Sequence, residues 1–160
     1  MLKAVAIFAS LPLIASCSAH SPVALGKGRV SREAVDYYQV ETVKPYDEVL
    51  TELEVAIAEH NFRITGHSRV GKVIRDRGAV DFPEYDTVQF CNLTLAKTVL
   101  EITPLAIGFM PCNVVTYQLN GKTVVRTHLL PEDGDNAELN AFAAQMNPQL
   151  RQIVDFAAEP

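Results

Sequence analysis

Asn120-Gly121 stands between two β-rich runs, Cys112 to Leu119 and Lys122 to Leu129. The central residues of such a turn need positive φ, which Asn and Gly tolerate, so the pair predicts an antiparallel hairpin. Three more strands are expected upstream. Val35 to Val43 is rich in Tyr, Val and Thr, Phe62 to His67 alternates apolar and polar, and Tyr85 to Cys91 is a third β-rich run. Helical spacing falls between and after them. Val49, Leu50, Leu53 and Ile57 predict a helix over 46–60 behind Pro45, and Leu95, Val99 and Ile102 predict one over 93–103 capped by Asn92. Val70, Val73 and Ile74 allow a short helix closed at Gly78. Leu139, Phe142, Ala143 and Met146 mark a last helix behind an Asp135/Glu138 capping box; Pro148 is expected to break or restart it before Leu150, Ile153 and Val154. The sum is an α+β domain: about five strands, largely antiparallel, with helices packed on one face.

A chain of 160 residues, 48% hydrophobic, fits one domain with a real core and is not a disordered chain. The net charge of −5 and the lack of any Lys/Arg cluster argue against non-specific nucleic-acid binding, and no nucleic-acid partner is expected.

Residues 1–16 read as a leader. Lys3 supplies a positive start and Ala4 to Ile14 an apolar run, too short for a spanning helix of about 20 residues. Ile14-Ala15-Ser16-Cys17 then looks like a bacterial lipobox, which makes Cys17 the first mature residue and the lipidation site. At about 0.8 kcal/mol per buried CH₂, several acyl chains anchor stably where one is marginal. Ser18 rather than Asp after the cysteine points to the periplasmic face of the outer membrane. Residues 17–34, broken by Pro22, Gly26 and Gly28, read as a tether of roughly 20–25 Å, and 35–160 as a single domain.

Two cysteines remain, Cys91 before a helix and Cys112 at the start of the hairpin. In an oxidising compartment the pair reads as a disulfide, worth about 3 kcal/mol in the chain-entropy model. Two buried thiols are an equal alternative, since free Cys is among the most buried residue types. The third is a soft Cu(I) site or thiol-redox pair of Cys91, Cys112 and Met110. The chain between them can return to the same end of the sheet or cross over in parallel, and the spacing does not choose.

The other candidates are weaker. His60, His67 and His128 lack metal-ligand spacing, and His67 reads as a solvated surface residue. Asp133, Asp135 and Asn136 fit a helix cap better than a Ca²⁺ loop. No GxSxG, P-loop, dinucleotide fingerprint or CxxC occurs.

The motif order is similar to one family. Asn61-Phe62, Phe90-Cys91-Asn92-Leu93, Pro111-Cys112-Asn113-Val114-Val115, Asn120-Gly121-Lys122 and Met146-Asn147-Pro148-Gln149-Leu150, spread over roughly 35–157, resemble the domain-of-unknown-function family 302. The resemblance implies a small α+β domain, often a homodimer, with no established activity, and it lends no catalytic residues. Two positions depart from it: Leu93 stands where many members have Pro, and Asn61 where Gly is usual. The first functional expectation is therefore a lipid-anchored envelope domain that binds a small ligand or an envelope protein. Soft-metal or thiol-redox handling through Cys91 and Cys112 is the second, and an enzyme with dispersed acid and base groups the third.

Overall fold

The computed structural model describes residues 36–159. The leader 1–16, the lipidation site Cys17 and the tether lie outside those residues. The elements run β1 (Tyr37–Thr42), α1 (Tyr46–Glu59), β2 (Arg63–Arg69), α2 (Val70–Asp76), β3 (Tyr85–Cys91), α3 (Leu93–Ile102), a 3₁₀ segment (Pro104–Phe109), β4 (Cys112–Leu119), β5 (Lys122–His128) and α4 (Ala137–Ala158).

The five strands form one sheet in the order β1-β5-β4-β3-β2, antiparallel at every pairing. The hairpin turns at Asn120 and Gly121 with φ of 51° and 76°, the positive pair that the turn demands. Asn61 also takes positive φ, 59°, where the chain leaves α1 for β2.

Helices α1 and α4 cover one face of the sheet. Val49, Leu53 and Ile57 from α1 and Leu150, Ile153 and Val154 from α4 meet Val88, Phe90, Val114 and Val125 from the strands, all but fully buried. Removing such side chains from water stabilises the fold by about 1.5–3 kcal/mol each. Phe62 packs edge-on against Phe90, with ring centroids 5.3 Å apart.

Four local expectations are corrected. Helix α4 runs unbroken through Pro148. A proline disfavours helical geometry at the residue before it. Here that residue, Asn147, is pinned: its side chain accepts from Leu130 N–H at 2.8 Å and donates to Leu130 C=O at 2.9 Å. The helix is capped by Asn136, which accepts from Glu138 and Leu139 N–H, and not by an Asp135/Glu138 box. Ile64 is exposed rather than sharing a buried face with Phe62, because β2 is an edge strand with a register shift between Ile64 and Gly66. His67 is not solvated; its side chain keeps 18% of its exposure and stands 2.9 Å from Asp86.

Candidate functional site

The register of β3 against β4 settles what spacing left open: the chain returns antiparallel after α3, and Cys112 pairs with Phe90, next to Cys91. The two cysteines are not bonded to each other in the structure; both are half-buried, at the same end of the sheet. Cys112 packs against the core, and its thiol pKa is pushed up to about 11, mainly by burial, with Cys91 adding to the effect.

Asn92 explains the Cys-Asn motif. Its side-chain oxygen accepts from Thr94 and Leu95 N–H at 2.9 and 3.1 Å, capping α3, while its amide donates to Asn61 C=O at 2.9 Å. One side chain thus starts the helix and ties it to the turn before β2.

Helix α3 and the 3₁₀ segment form a flap across this end of the sheet. Their composition is apolar, yet only Val99 and Ala106 are fully buried. Leu93 and Leu105 are each 82% exposed and Ile107 61%. Beneath the flap lies an apolar cavity of about 40 Å³, bounded by Leu95 and Val99 of α3, Phe109 of the 3₁₀ segment, Phe62, and Phe142 of α4. By the same measure one water needs about 10–15 Å³, so the space holds a short apolar group and not a whole metabolite.

Cys91, Cys112 and Met110 all border this cavity, although by strand alternation Cys112 shares the core face with Phe90 while Cys91 has the opposite parity. The lining adds Met146, which helical spacing had marked only as core stripe. No Asp, Glu, His, Lys or Arg lines it. Among the described residues, no group of three or more His, Cys, Asp or Glu is gathered for a metal. No helix among them is long and apolar enough to cross a membrane.

The opposite end of the same core is polar. Asp86, 5% exposed, bonds His67; the Tyr46 hydroxyl, its pKa raised chiefly by burial, lies 2.9 Å from Thr116 Oγ1; Lys44 pairs with Glu52. Asp86 and Cys91 are five residues apart on β3, about 17 Å.

The sequence profile described as domain of unknown function DUF302 matches residues 38–157. The chain belongs to this family. A crystal structure of an uncharacterized conserved DUF302 protein from Bacillus stearothermophilus superposes with a TM-score of 0.67 at 23% identity, covering 76% of this chain and 97% of that one. At that identity the likeness establishes the α+β fold and nothing of the site. Among curated proteins, none matches this sequence. Leu93, the position where this DUF302 chain departs from the expected Pro, lies at the first turn of α3 and is exposed, so the departure leaves the cap intact.

Proposed function

We propose that this protein is a lipid-anchored envelope module, held through Cys17, whose domain binds a short apolar group in the cavity under the flap. The group is the end of an acyl chain or an apolar side chain of an envelope partner. The observation that carries this reading is the cavity itself: an apolar space that water has little reason to fill, closed by a segment with few buried residues. Sites for small ligands are concave and mostly apolar. The thin burial of α3 lets the flap lift for a longer ligand at low cost. Anchoring rests on the order of apolar run, small residues and cysteine in the leader.

Decanoate is a suitable probe. Its titration should shift the amide resonances of Leu95, Val99 and Phe109, and Ala96→Phe, which fills the cavity, should abolish those shifts while the protein stays folded. Shifts confined to other regions, or unchanged in the filled variant, would overturn the binding reading. Intact mass of protein taken from the envelope tests the anchor. A mass for residues 17–160 plus acyl chains supports it, and a mature chain without them overturns it.

A further inference from the structure

Strand parity sets a second group of side chains on the face of the sheet turned away from α1 and α4. Val114 and Val125 pack in the core, so Asn113, Val115 and Tyr117 of β4 and Arg126 and His128 of β5 take the other face. The register adds Tyr37 of β1 opposite His128 and places Val115 opposite Arg126. With Gly108 and Phe109 of the 3₁₀ segment these residues bound an open recess of about 570 Å³. That lies within the range of about 300–1,000 Å³ usual for small-ligand sites. The recess shares only Phe109 with the cavity under the flap.

No Asp or Glu lines the recess, and Arg126 does. Each of the four described lysines, Lys44, Lys72, Lys97 and Lys122, pairs with a carboxylate. Of the described arginines without an ion pair, Arg126 alone is half-buried; the others are exposed, where water solvates them. Its Nε is buried without a hydrogen-bond partner. A half-buried guanidinium lacking acceptors is costly, and an anion would supply them. The guanidinium carbon stands 3.7 Å from the centroid of the Tyr37 ring. Such stacking uses the flat side of the group and leaves its in-plane N–H fork for a carboxylate.

The surroundings limit the anion. Burial lowers the His128 pKa, so the imidazole is neutral near pH 7 and the recess holds one fixed positive charge. One charge matches a monoanion. Tyr37, Tyr117 and Phe109 supply aromatic walls, and Tyr117 is held by stacking on Tyr85 at 5.7 Å. Rings of this kind favour a flat apolar body. We propose that the recess is a binding site for a small aromatic monocarboxylate, its carboxylate on the Arg126 guanidinium and its ring against the aromatic wall. The site is separate from the apolar cavity of the binding reading above and does not depend on it.

The test is a titration of the mature full-length protein with benzoate, followed by amide resonances. Val115, Arg126 and His128 should shift. Benzamide, equal in shape but uncharged, should bind about tenfold more weakly or worse, and so should inorganic phosphate. Arg126→Gln should weaken benzoate by a similar factor, and Arg126→Lys, which keeps the charge but not the planar fork, by less. The benzamide comparison uses the unaltered protein, so it decides the matter even where a variant fails to fold. Benzamide or phosphate binding as tightly as benzoate, or a folded Arg126→Gln variant with unchanged affinity, would each overturn the proposal. Ala96→Phe separates the two sites. Benzoate binding should survive in that variant while the decanoate shifts vanish; loss of benzoate binding there would place benzoate under the flap and overturn the recess as its site.

Discussion

The two ends of β3 are built on opposite principles. At the Tyr85 end, polar side chains enter the core and find partners: Asp86 with His67, Tyr46 with Thr116, Lys44 with Glu52. At the Cys91 end, apolar and sulfur-bearing residues border a gap, under a flap with only Val99 and Ala106 buried. A buried polar group without a partner is costly, so the first end must be filled to exist at all. An apolar gap costs only lost contacts, so the second can stay open. The difference separates an end that is filled by mutual pairing from one that keeps an apolar gap.

The largest expected effect tests the filled end. His67→Ala removes the hydrogen-bond partner of Asp86, whose side chain is 4% exposed, and should cost about 1–3 kcal/mol. Urea unfolding would read it as a lower midpoint at unchanged slope. A loss under about 1 kcal/mol would mean the polar end is not closed by mutual pairing, and the contrast would fail. The flap should respond more mildly. Asn92→Ala removes the α3 cap and the bond to Asn61, with an expected loss of about 1 kcal/mol. Amide exchange should rise in α3 first while α1 and α4 keep their protection. Uniform loss of protection would show that the flap and core unfold as one unit.

Much of this was legible from residue pattern. The hairpin followed from Asn120-Gly121, because turn chemistry is local, and α1 and α3 followed from helical spacing. Pro148 misled because the signal against helix is local, whereas the Asn147–Leu130 bonds that override it link residues 17 apart. His67 misled for the same reason: its partner Asp86 is 19 residues away. A clue to that partner did exist. Asp86 shares strand parity with Val88 and Phe90, so alternation alone puts a carboxylate on the buried face. Cys91, Met110 and Cys112 stood out as a soft set, but their position at one end of the sheet depended on an antiparallel return that spacing could not decide. Met146 was hidden because a methionine in a helical stripe looks like any core residue.

The smallest effect concerns how the flap meets the sheet. His128 pairs with Tyr37 across β1 and β5 and lines a shallow recess with Gly108 and Phe109 of the 3₁₀ segment; Phe109 also borders the sulfur cavity. Burial lowers the His128 pKa below its usual 6.5. Arg126, whose guanidinium stands 3.7 Å from the centroid of the Tyr37 ring, borders the same recess. Above pH 6.5 the imidazole is neutral in both folded and unfolded chains and contributes nothing to the pH dependence. As pH falls through 6.5 the unfolded chain takes up the proton first, so stability declines until the pH passes the lower folded value and then levels. His128→Gln should flatten that part of the stability-against-pH curve, and amide exchange in the 3₁₀ segment should lose its acceleration below pH 6.5. If acid instead released the exchange of β1 and left the 3₁₀ segment unchanged, His128 would belong to the closed part of the molecule. The open end would then stop at the cavity wall.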